Sequence, residues 1–294
     1  MGFVPAGAEA SLIPPERRLD PSGGLLALAR AHGVDEIVVG ADDRRGSLPM
    51  SDLLECRLAG IQVTDLATFF EREAGKIKLG IVDPSWLVFS DGFDRRQWRQ
   101  VTKRAFDMAA STILLLLAAP LMLLTALAIW LESGFKGPII YRQERVGEGG
   151  CVFTVLKFRS MRTDAEKDGK AVWAQKDDDR ITTVGRVIRK LRIDELPQVF
   201  NVLRGDMSFV GPRPERPCFV ADLSKQIPYF GLRHCVKPGI TGWAQLRYAY
   251  GASVEDSAEK LKFDLYYAKN HSLVFDLMIL MQTVEVVLFG KGAR

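Results

Sequence analysis

The sequence predicts an α/β protein in which a small parallel α/β unit precedes an α-rich, membrane-attached domain with few short strands. Short β-rich runs alternate with helical stretches over residues 1–95, and a nearly unbroken apolar stretch covers residues 113–131. Charge is also unevenly divided. Residues 1–95 carry 10 basic and 15 acidic side chains, whereas the remainder carries 30 and 21. The basic second part fits a phosphorylated substrate, an anionic membrane surface or nucleic acid.

The N-terminal unit is predicted from the order of its elements. In chain order they are a helix at 25–31, a strand at 36–41, a helix at 50–58, a strand at 61–65 and a helix through Phe69 and Phe70. This alternation indicates a parallel sheet with crossover helices. No G-x-G-x-x-G follows an opening strand, so nothing in the sequence supports dinucleotide binding. We place the domains at 1–92 and 93–294, separated by a polar linker.

The apolar stretch at 113–131 is nineteen residues long, which is just enough for a helix to cross a bilayer. Pro120 in its middle predicts a kink. Basic residues flank both ends, whereas a crossing helix usually carries positive charge on one side. We therefore expect a re-entrant membrane helix over about 103–134 that bends near Ala119 and Pro120 and returns to the same face. A proline-kinked spanning helix is the alternative. A second apolar stretch, 273–289, fits an interfacial helix and a core helix equally well.

The segment 189–214 contains the candidate catalytic residues. Asp194 and Glu195 directly precede Pro197 and an apolar run, which places the two carboxylates beside a helix N-terminus. The helix dipole there favours an ionised acid, and an ionised aspartate can act as a nucleophile toward phosphorus. A neighbouring glutamate can bind a metal. Many arginines and lysines crowd the same segment, as an anionic substrate with several phosphates requires.

Several motifs from about residue 103 to the C-terminus resemble the signature of the bacterial sugar transferases, the monotopic polyprenyl-phosphate sugar-1-phosphate transferases. The matching motifs are Lys103-Arg104, Tyr141-Arg142-Gln143, Lys157-Phe158-Arg159-Ser160-Met161, Asp194-Glu195-Leu196-Pro197-Gln198, Gly211-Pro212-Arg213-Pro214 and Lys237-Pro238-Gly239-Ile240-Thr241-Gly242. The family also anchors through a re-entrant helix-break-helix, usually with a serine before the proline. Ala119 departs from that pattern.

The resemblance implies a two-step transfer of a sugar 1-phosphate from a UDP-sugar to polyprenyl phosphate. Asp194 would attack the sugar-bearing phosphorus and release UMP, and the acceptor would then free Asp194. Glu195 would ligate Mg²⁺, with Asp194 sharing it. The expected substrate-binding residues are Lys157, Arg159, Arg189, Pro212, Arg213 and Pro214. The spacing of the residues alone also allows a direct transfer from donor to acceptor, without an intermediate on Asp194.

The resemblance also implies where the protein works and with what. We expect the cytoplasmic face of the bacterial inner membrane, undecaprenyl phosphate as the acceptor, and contact with membrane lipid. The product would enter exopolysaccharide, capsule or O-antigen synthesis. Residues 1–92 look like the later part of a Rossmann-like module found in larger members of the family, and we expect Met1 to fall within that module. A regulatory, oligomerising or structural role fits it, and a homodimer is compatible with the family.

Two other function classes are compatible with the sequence. Asp177-Asp178-Asp179 loosely matches the D-x-D pattern of metal-dependent glycosyltransferases, which would release UDP rather than UMP. The chain could instead be a non-enzymatic membrane assembly module. We expect no nucleic-acid partner, because the sequence contains neither an aromatic-basic RNA motif nor a helix-turn-helix pattern.

Overall fold

The computed structural model describes residues 1–5, 14–40, 48–81, 88–89, 92–93, 96–163, 178–248, 251 and 253–289. The chain divides into two compact units, Met1–Asp83 and Pro84–Arg294. Most of the predicted linker lies outside the described residues. The domain limits 1–92 and 93–294 and the role of the first domain stay predictions.

The first unit is a small α/β structure around two parallel strands. Strands β1 (Glu36–Val39) and β2 (Gln62–Asp65) pair in parallel. The helices of this unit are α1 (Leu25–Ala31), α2 (Met50–Leu58) and α3 (Leu66–Ala74). Helix α2 lies in the connection between the strands, as a parallel pair requires. The predicted alternation therefore agrees with the structure, whereas the likeness to a Rossmann-like module stays a prediction.

Local signals explain the elements of this unit. The Asp65 carboxylate accepts a 3.0 Å hydrogen bond from the Thr68 N–H and so caps the start of α3. Gly75 ends that helix in the left-handed conformation with φ of 59°. Ala29, Cys56 and Ile61 form the buried cluster between α1, α2 and the following strand.

In the second unit, helix α4 (Gln97–Glu132) is 36 residues long. By length and composition α4 could cross a membrane. Its buried residues, Asp107, Ser111, Ala118, Thr125 and Ile129, recur at intervals of four and seven positions and so share one face. Leucines such as Leu117 and Leu123 are more than two-thirds exposed. Helix α4 therefore packs along one stripe and presents the rest of its apolar surface outward.

Helix α4 is continuous through Ala119 and Pro120. The interruption expected from a helix-break-helix is therefore not observed. A proline removes only its own N–H from the ladder, so the hydrogen bonds on either side can keep the helix intact while the axis bends. The re-entrant course itself stays a prediction.

Two basic residues near the start of α4 attach it to the rest of the unit. Arg104 donates to the C=O groups of Val202 at 2.5 Å and Leu203 at 2.7 Å, at the end of a short helix. Lys103 Nζ lies 2.7 Å from Oδ2 of Asp276. The buried C-terminal carbonyls of a helix need donors, and Arg104 supplies them.

Two further two-stranded sheets occur among the described residues. Strands β3 (Ile140–Val146) and β4 (Val152–Phe158) form an antiparallel hairpin in which Tyr141 lies opposite Lys157. Strands β5 (Ser208–Val210) and β6 (Gly239–Thr241) pair in parallel. The expectation of few short strands in an α-rich domain agrees with this arrangement.

The remaining helices surround these strands. They are α5 (Thr183–Lys190), α6 (Gln198–Arg204), α7 (Pro217–Gln226), α8 (Trp243–Arg247), α9 (Val254–Asn270) and α10 (Leu273–Phe289). Helix α9 starts with a capping box between Ser253 and Asp256. Helix α10 buries Asp276 and Ile279 completely but leaves Val274 and Met281 about three-quarters exposed. One face of α10 is thus a core face, and the opposite face is free for an interfacial role.

Candidate active site

The acidic pair lies in a tight turn between two helices. Asp194 and Glu195 belong to the 3-10 turn Ile193–Glu195, which follows α5 and precedes α6. Arg192 enters this turn in the left-handed conformation with φ of 58°, which is uncommon for a non-glycine residue. Pro197 has φ of −61° and leads directly into α6. The two carboxylates therefore lie just before a helix start.

Glu195 is buried and bound by two cations. Its Oε1 accepts hydrogen bonds from Lys157 Nζ at 2.9 Å and from Arg213 Nη2 at 2.6 Å. Burial raises the pKa of Glu195, but the charges and hydrogen bonds of Arg213 and Lys157 outweigh it and hold the pKa well below its usual range. Glu195 is therefore ionised at neutral pH, and charge-assisted bonds fix its position.

The pKa of Asp194, unlike that of Glu195, lies above its usual value. Burial raises its pKa, and the negative charge of Glu195 raises it further. The positive charges of Lys157, Arg189 and Arg213 act in the opposite direction without restoring the usual value. The helix start was expected to favour the ionised acid, but burial and the neighbouring carboxylate have the larger effect. Adjacent residues in one turn thus have pKa values displaced in opposite directions.

Lys157 is held in place through β4. Helix α6 packs against this strand, and the buried Asn201 joins them. The Asn201 side chain accepts from the Leu156 N–H at 3.0 Å and donates to the Thr154 C=O at 2.7 Å. Burial also lowers the pKa of Lys157, with a further contribution from Arg213. Nothing in the sequence singles out Asn201, because its burial and its two hydrogen bonds to β4 are visible only in the structure.

Arg213 lies in the turn after β5, and hydrogen bonds from other segments of the chain hold the backbone of this turn. Three consecutive carbonyl groups accept hydrogen bonds: Pro212 from the Gly239 N–H at 2.9 Å, Arg213 from Arg233 Nη2 at 2.8 Å, and Pro214 from Arg145 Nη1 at 3.1 Å. Arg233 is in turn paired with the buried Asp264 at 2.8 Å. Arg145 and Arg233, which lie outside the motif, thus hold two carbonyl groups of the turn. The rings of Pro212 and Pro214 fix φ on either side of Arg213.

Glycines let this turn approach the segment around β6. A Cβ on Gly211 would collide with the Lys237 carbonyl, and a Cβ on Gly239 would collide with the Gly211 backbone. The motifs Gly211-Pro212-Arg213-Pro214 and Lys237-Pro238-Gly239-Ile240-Thr241-Gly242 are thus packed backbone against backbone.

Polar side chains along β3 connect to the same turn. Tyr141, Gln143 and Arg145 alternate along the strand and so share one face. Gln143 Nε2 donates to the Tyr141 hydroxyl at 3.1 Å, and Gln143 Oε1 accepts from Arg145 Nη2 at 2.5 Å. Arg145 then reaches the Pro214 carbonyl. Tyr141 and Gln143 belong to a motif that the sequence shows, whereas Arg145 lies outside it and could have been found only from its period-two spacing along the strand.

The expected substrate-binding residues occupy four kinds of position. Lys157 and Arg213 contact Glu195 directly. Arg189 is half-buried and acts on Asp194 through its charge. Arg159 is buried, and its Nη1 nitrogen has no hydrogen-bond partner among the described residues. Pro212 and Pro214 shape the turn that carries Arg213.

Within the described ranges, no group of three or more histidine, cysteine, aspartate or glutamate side chains is positioned to hold a metal. Mg²⁺ commonly needs fewer, because it binds through one or two carboxylates together with substrate phosphates and water. Asp194 and Glu195 fit that donor set, since Lys157 and Arg213 both bind Oε1 of Glu195, and Arg192 Nη1 lies 3.9 Å from Oε2, too far for a hydrogen bond. The D-x-D alternative has less support. Asp177 lies outside the described residues, and Asp178 forms a 2.5 Å ion pair with Arg180.

The fold and the site together define a class of protein. It combines an outward-facing apolar helix of membrane-crossing length with an acidic pair bound by basic side chains from a hairpin and a proline-flanked turn. A sequence model of the bacterial sugar transferase family matches residues 98–290, and the chain belongs to this family. The membership predicted from the motifs is confirmed.

Three relatives show what the chain is similar to. It is 44% identical over 250 residues to a UDP-N-acetylgalactosamine-undecaprenyl-phosphate N-acetylgalactosaminephosphotransferase of Aeromonas hydrophila, with 82% of this chain and 56% of that protein aligned. It is 44% identical to an undecaprenyl-phosphate glucose phosphotransferase of Komagataeibacter xylinus, over 67% of this chain and 38% of the relative. It is 46% identical to a UDP-glucose:undecaprenyl-phosphate glucose-1-phosphate transferase of Caulobacter vibrioides, over 65% of this chain and 71% of that protein. The chain thus spans about half the length, or less, of the first two.

Proposed function

We propose that this protein transfers a sugar 1-phosphate from a UDP-sugar to polyprenyl phosphate, giving polyprenyl-diphosphate-sugar and UMP. The observation that carries the proposal is the division of roles within the acidic pair. Lys157 and Arg213 bind Glu195, whereas no hydrogen bond or ion pair engages the Asp194 carboxylate within the described residues. The names of the three relatives describe the same class of transfer between the same kinds of substrate.

In the first step, an oxygen of Asp194 attacks the sugar-bearing phosphorus of the donor. The new bond joins this oxygen to phosphorus, the bond to the UMP oxygen breaks, and UMP leaves with the electron pair. The raised pKa of Asp194 supports this role, because a more basic carboxylate is a better nucleophile once it is ionised. Glu195 cannot serve equally well, since two cations hold its charge.

In the second step, a phosphate oxygen of the polyprenyl phosphate attacks the same phosphorus and the bond to Asp194 breaks. Negative oxygens accumulate around the phosphorus in both steps, so the surrounding cations must be fixed in advance. Lys157 and Arg213 are fixed through Glu195, and the carbonyls of the Arg213 turn are all hydrogen-bonded. Arg189 adds positive charge near Asp194. Arg159 is the remaining candidate for phosphate binding.

Mg²⁺ fits the same site, with Asp194 and Glu195 as its protein ligands. When bound, it would neutralise charge on the donor diphosphate. The residues of the chain keep their roles in either case: Asp194 forms and releases the bond to phosphorus, and Glu195 orients Lys157 and Arg213.

We further propose that the protein works at the cytoplasmic face of the bacterial inner membrane, as the first membrane step of exopolysaccharide, capsule or O-antigen synthesis. Helix α4 supports membrane attachment through its exposed leucines. Pro120 and the basic residues at both ends of the apolar stretch favour a re-entrant course. The donor sugar stays open, because the relatives include both glucose and N-acetylgalactosamine transferases. A homodimer organised by the first unit is compatible with this proposal.

Purified protein incubated with a panel of UDP-sugars and undecaprenyl phosphate tests the function and identifies the donor together. We expect UMP and a lipid-linked diphosphate sugar with one or two of the donors. UDP as the product would indicate a metal-dependent glycosyltransferase instead. Substrate binding without any nucleotide product would indicate an assembly module.

A further inference from the structure

An apolar groove opens beside the C-terminal end of α4. It has a volume of about 630 Å³ and is lined by Trp130 and residues 137–142. A groove of this size accommodates a small ligand or the first part of a longer one. Pro138, Ile139 and Ile140 give it an apolar wall, and Arg142 adds a positive charge.

The groove is continuous with the surface that α4 presents outward. Trp130 is 42% exposed and packs edge-on against Phe135 with ring centroids 4.5 Å apart. Tryptophan is enriched where a protein passes from hydrocarbon to the headgroup region. Leu127 and Leu131, next to Trp130 on α4, are also about half exposed. A lipid chain lying against α4 would therefore reach the groove without crossing water.

Arg142 lines the polar end of the groove, and the buried Arg159 lies behind its wall. Arg142 is exposed and makes no ion pair within the described part of the chain. Arg159 lies directly behind Gly137, because a Cβ on Gly137 would collide with its Nη1 nitrogen. That nitrogen is buried and has no hydrogen-bond partner among the described residues. A buried charged donor without a partner is costly, which indicates that an anion completes the site.

The same strand connects the groove to the acidic pair. Tyr141 lines the groove and lies opposite Lys157 in the hairpin, so both side chains project from the same face. Lys157 Nζ is 2.9 Å from Glu195. The groove wall at Tyr141 is thus one cross-strand pair away from the cations of the active site.

We propose that this groove binds the acceptor lipid, with its apolar chain along Trp130, Ile139 and Ile140 and its phosphate toward Arg142 and Arg159. The inference rests on the proposed function, in which a phosphate on a long apolar chain must reach Asp194. It adds a second binding site, separate from the donor cations Lys157 and Arg213, and assigns Arg159 to the acceptor.

The test uses full-length protein in detergent and separates the two half-reactions. Donor alone reports the first step as a stoichiometric burst of UMP, and varied undecaprenyl phosphate at saturating donor reports the acceptor KM. The variants are Arg142→Gln and Trp130→Ala, with Arg186→Gln as a charge-matched control on the exposed side of α5. We expect an unchanged burst and an acceptor KM raised about ten-fold in both groove variants, through the loss of a charge-assisted contact in Arg142→Gln and of aromatic packing in Trp130→Ala.

Other outcomes overturn the inference or locate its failure elsewhere. If the acceptor KM of the two groove variants equals that of wild type and of Arg186→Gln, the groove does not bind the acceptor. Weaker binding to phosphatidylcholine vesicles without a change in KM would make the groove a general membrane contact. If wild type releases no UMP from any donor, the proposed function fails. Undecaprenyl phosphate binding, measured directly by native mass spectrometry on wild type and the variants, then still decides whether the groove holds the lipid.

Discussion

The guanidinium of Arg213 lies 2.6 Å from the carboxylate of Glu195 and joins the proline-flanked turn to the acidic pair. Lys157 binds the same Glu195 oxygen from the hairpin. Glu195 is therefore the point at which three separate segments of the chain meet. The carboxylate of its neighbour Asp194 stays available for reaction. In the proposed mechanism, Glu195 therefore organises the site, and Asp194 is the acid that reacts.

This division predicts different consequences for two conservative substitutions. Asp194→Asn removes the attacking oxygen while keeping the side-chain volume, so we expect the UMP burst to fall by about four orders of magnitude or more. After incubation with donor alone, mass spectrometry should find a phosphosugar adduct on wild type and none on Asp194→Asn.

Glu195→Gln should behave otherwise, because it leaves Asp194 in place but releases Lys157 and Arg213. We expect a slower reaction that still forms the adduct on Asp194. An adduct that persists in Asp194→Asn would refute the assignment of the nucleophile, and an adduct on Glu195 in wild type would reverse the two roles.

The polar row on β3 predicts an effect from a residue that does not touch the acidic pair. Gln143→Leu removes the acceptor that orients Arg145, and Arg145 holds the Pro214 carbonyl. The turn carrying Arg213 should then become less ordered. We expect kcat/KM for the UDP-sugar to fall about ten-fold, as for the loss of one charge-assisted hydrogen bond.

The matched control is Gln226→Leu, since Gln226 is exposed on α7 and bonds only weakly to its own helix at 3.3 Å. It should leave kcat/KM unchanged. If Gln143→Leu and Gln226→Leu behave alike while both remain folded by circular dichroism, the row on β3 does not position the turn.

Much of the fold follows from local patterns in the sequence. The alternation of elements in the first unit predicted both strands and α2, because these segments carry their own hydrophobic periodicity. The continuity of α4 at Pro120 did not follow. A proline within a long apolar helix is compatible with a kink, a break or an intact helix, and packing along the stripe from Asp107 to Ile129 was not readable from the sequence.

The site was predictable only in part, and for a physical reason. Asp194, Glu195, Lys157 and Arg213 belong to short motifs whose residue types suit phosphate chemistry. Their grouping depends on hydrogen bonds between segments far apart in the chain, such as Arg233 to the Arg213 carbonyl and Asn201 to β4. No local pattern encodes such contacts. The opposite pKa displacements of Asp194 and Glu195 likewise arise from burial and tertiary charge rather than from the helix start.

Arg189 predicts a pH dependence whose sign can be worked out. Burial and Glu195 raise the pKa of Asp194, and Arg189 is among the charges that lower it. The ionised form is the nucleophile, so the burst rate should fall as pH decreases through this pKa. Arg189→Gln removes a positive charge and should raise the pKa further, which moves the acid limb of the burst rate to higher pH.

Arg189→Lys keeps the charge and is expected to leave the position of the limb close to that of wild type. The comparison uses saturating donor at each pH, so that a change in donor affinity alters the height of the profile and not its midpoint. An acid limb at the same pH in Arg189→Gln and wild type would contradict the electrostatic role of Arg189.

The ion pair between Lys103 and Asp276 predicts how the start of α4 is secured. Lys103 Nζ lies 2.7 Å from Asp276 and 3.3 Å from the Val210 C=O, and the Asp276 side chain is completely buried. Burial raises the pKa of Asp276, and Lys103 opposes that rise. Lys103→Met leaves a buried carboxylate without its cation, so we expect the free energy of unfolding to fall by about 3–5 kcal/mol.

The double variant Lys103→Met with Asp276→Leu should recover most of this loss. It removes the unpaired Asp276 charge, and the Tyr267 hydroxyl keeps a partner because it also lies 2.9 Å from the Val210 C=O. Asp107, whose Oδ1 lies 3.9 Å from Lys103, keeps its hydrogen bonds from the Ser208 hydroxyl and the Phe209 N–H. Chemical denaturation in detergent, followed by circular dichroism, measures all three proteins beside Lys225→Met, whose pair with Asp222 is exposed and should contribute little. Equal destabilisation in the single and double variants would mean that the lysine stem, rather than its charge, holds α4 against α10.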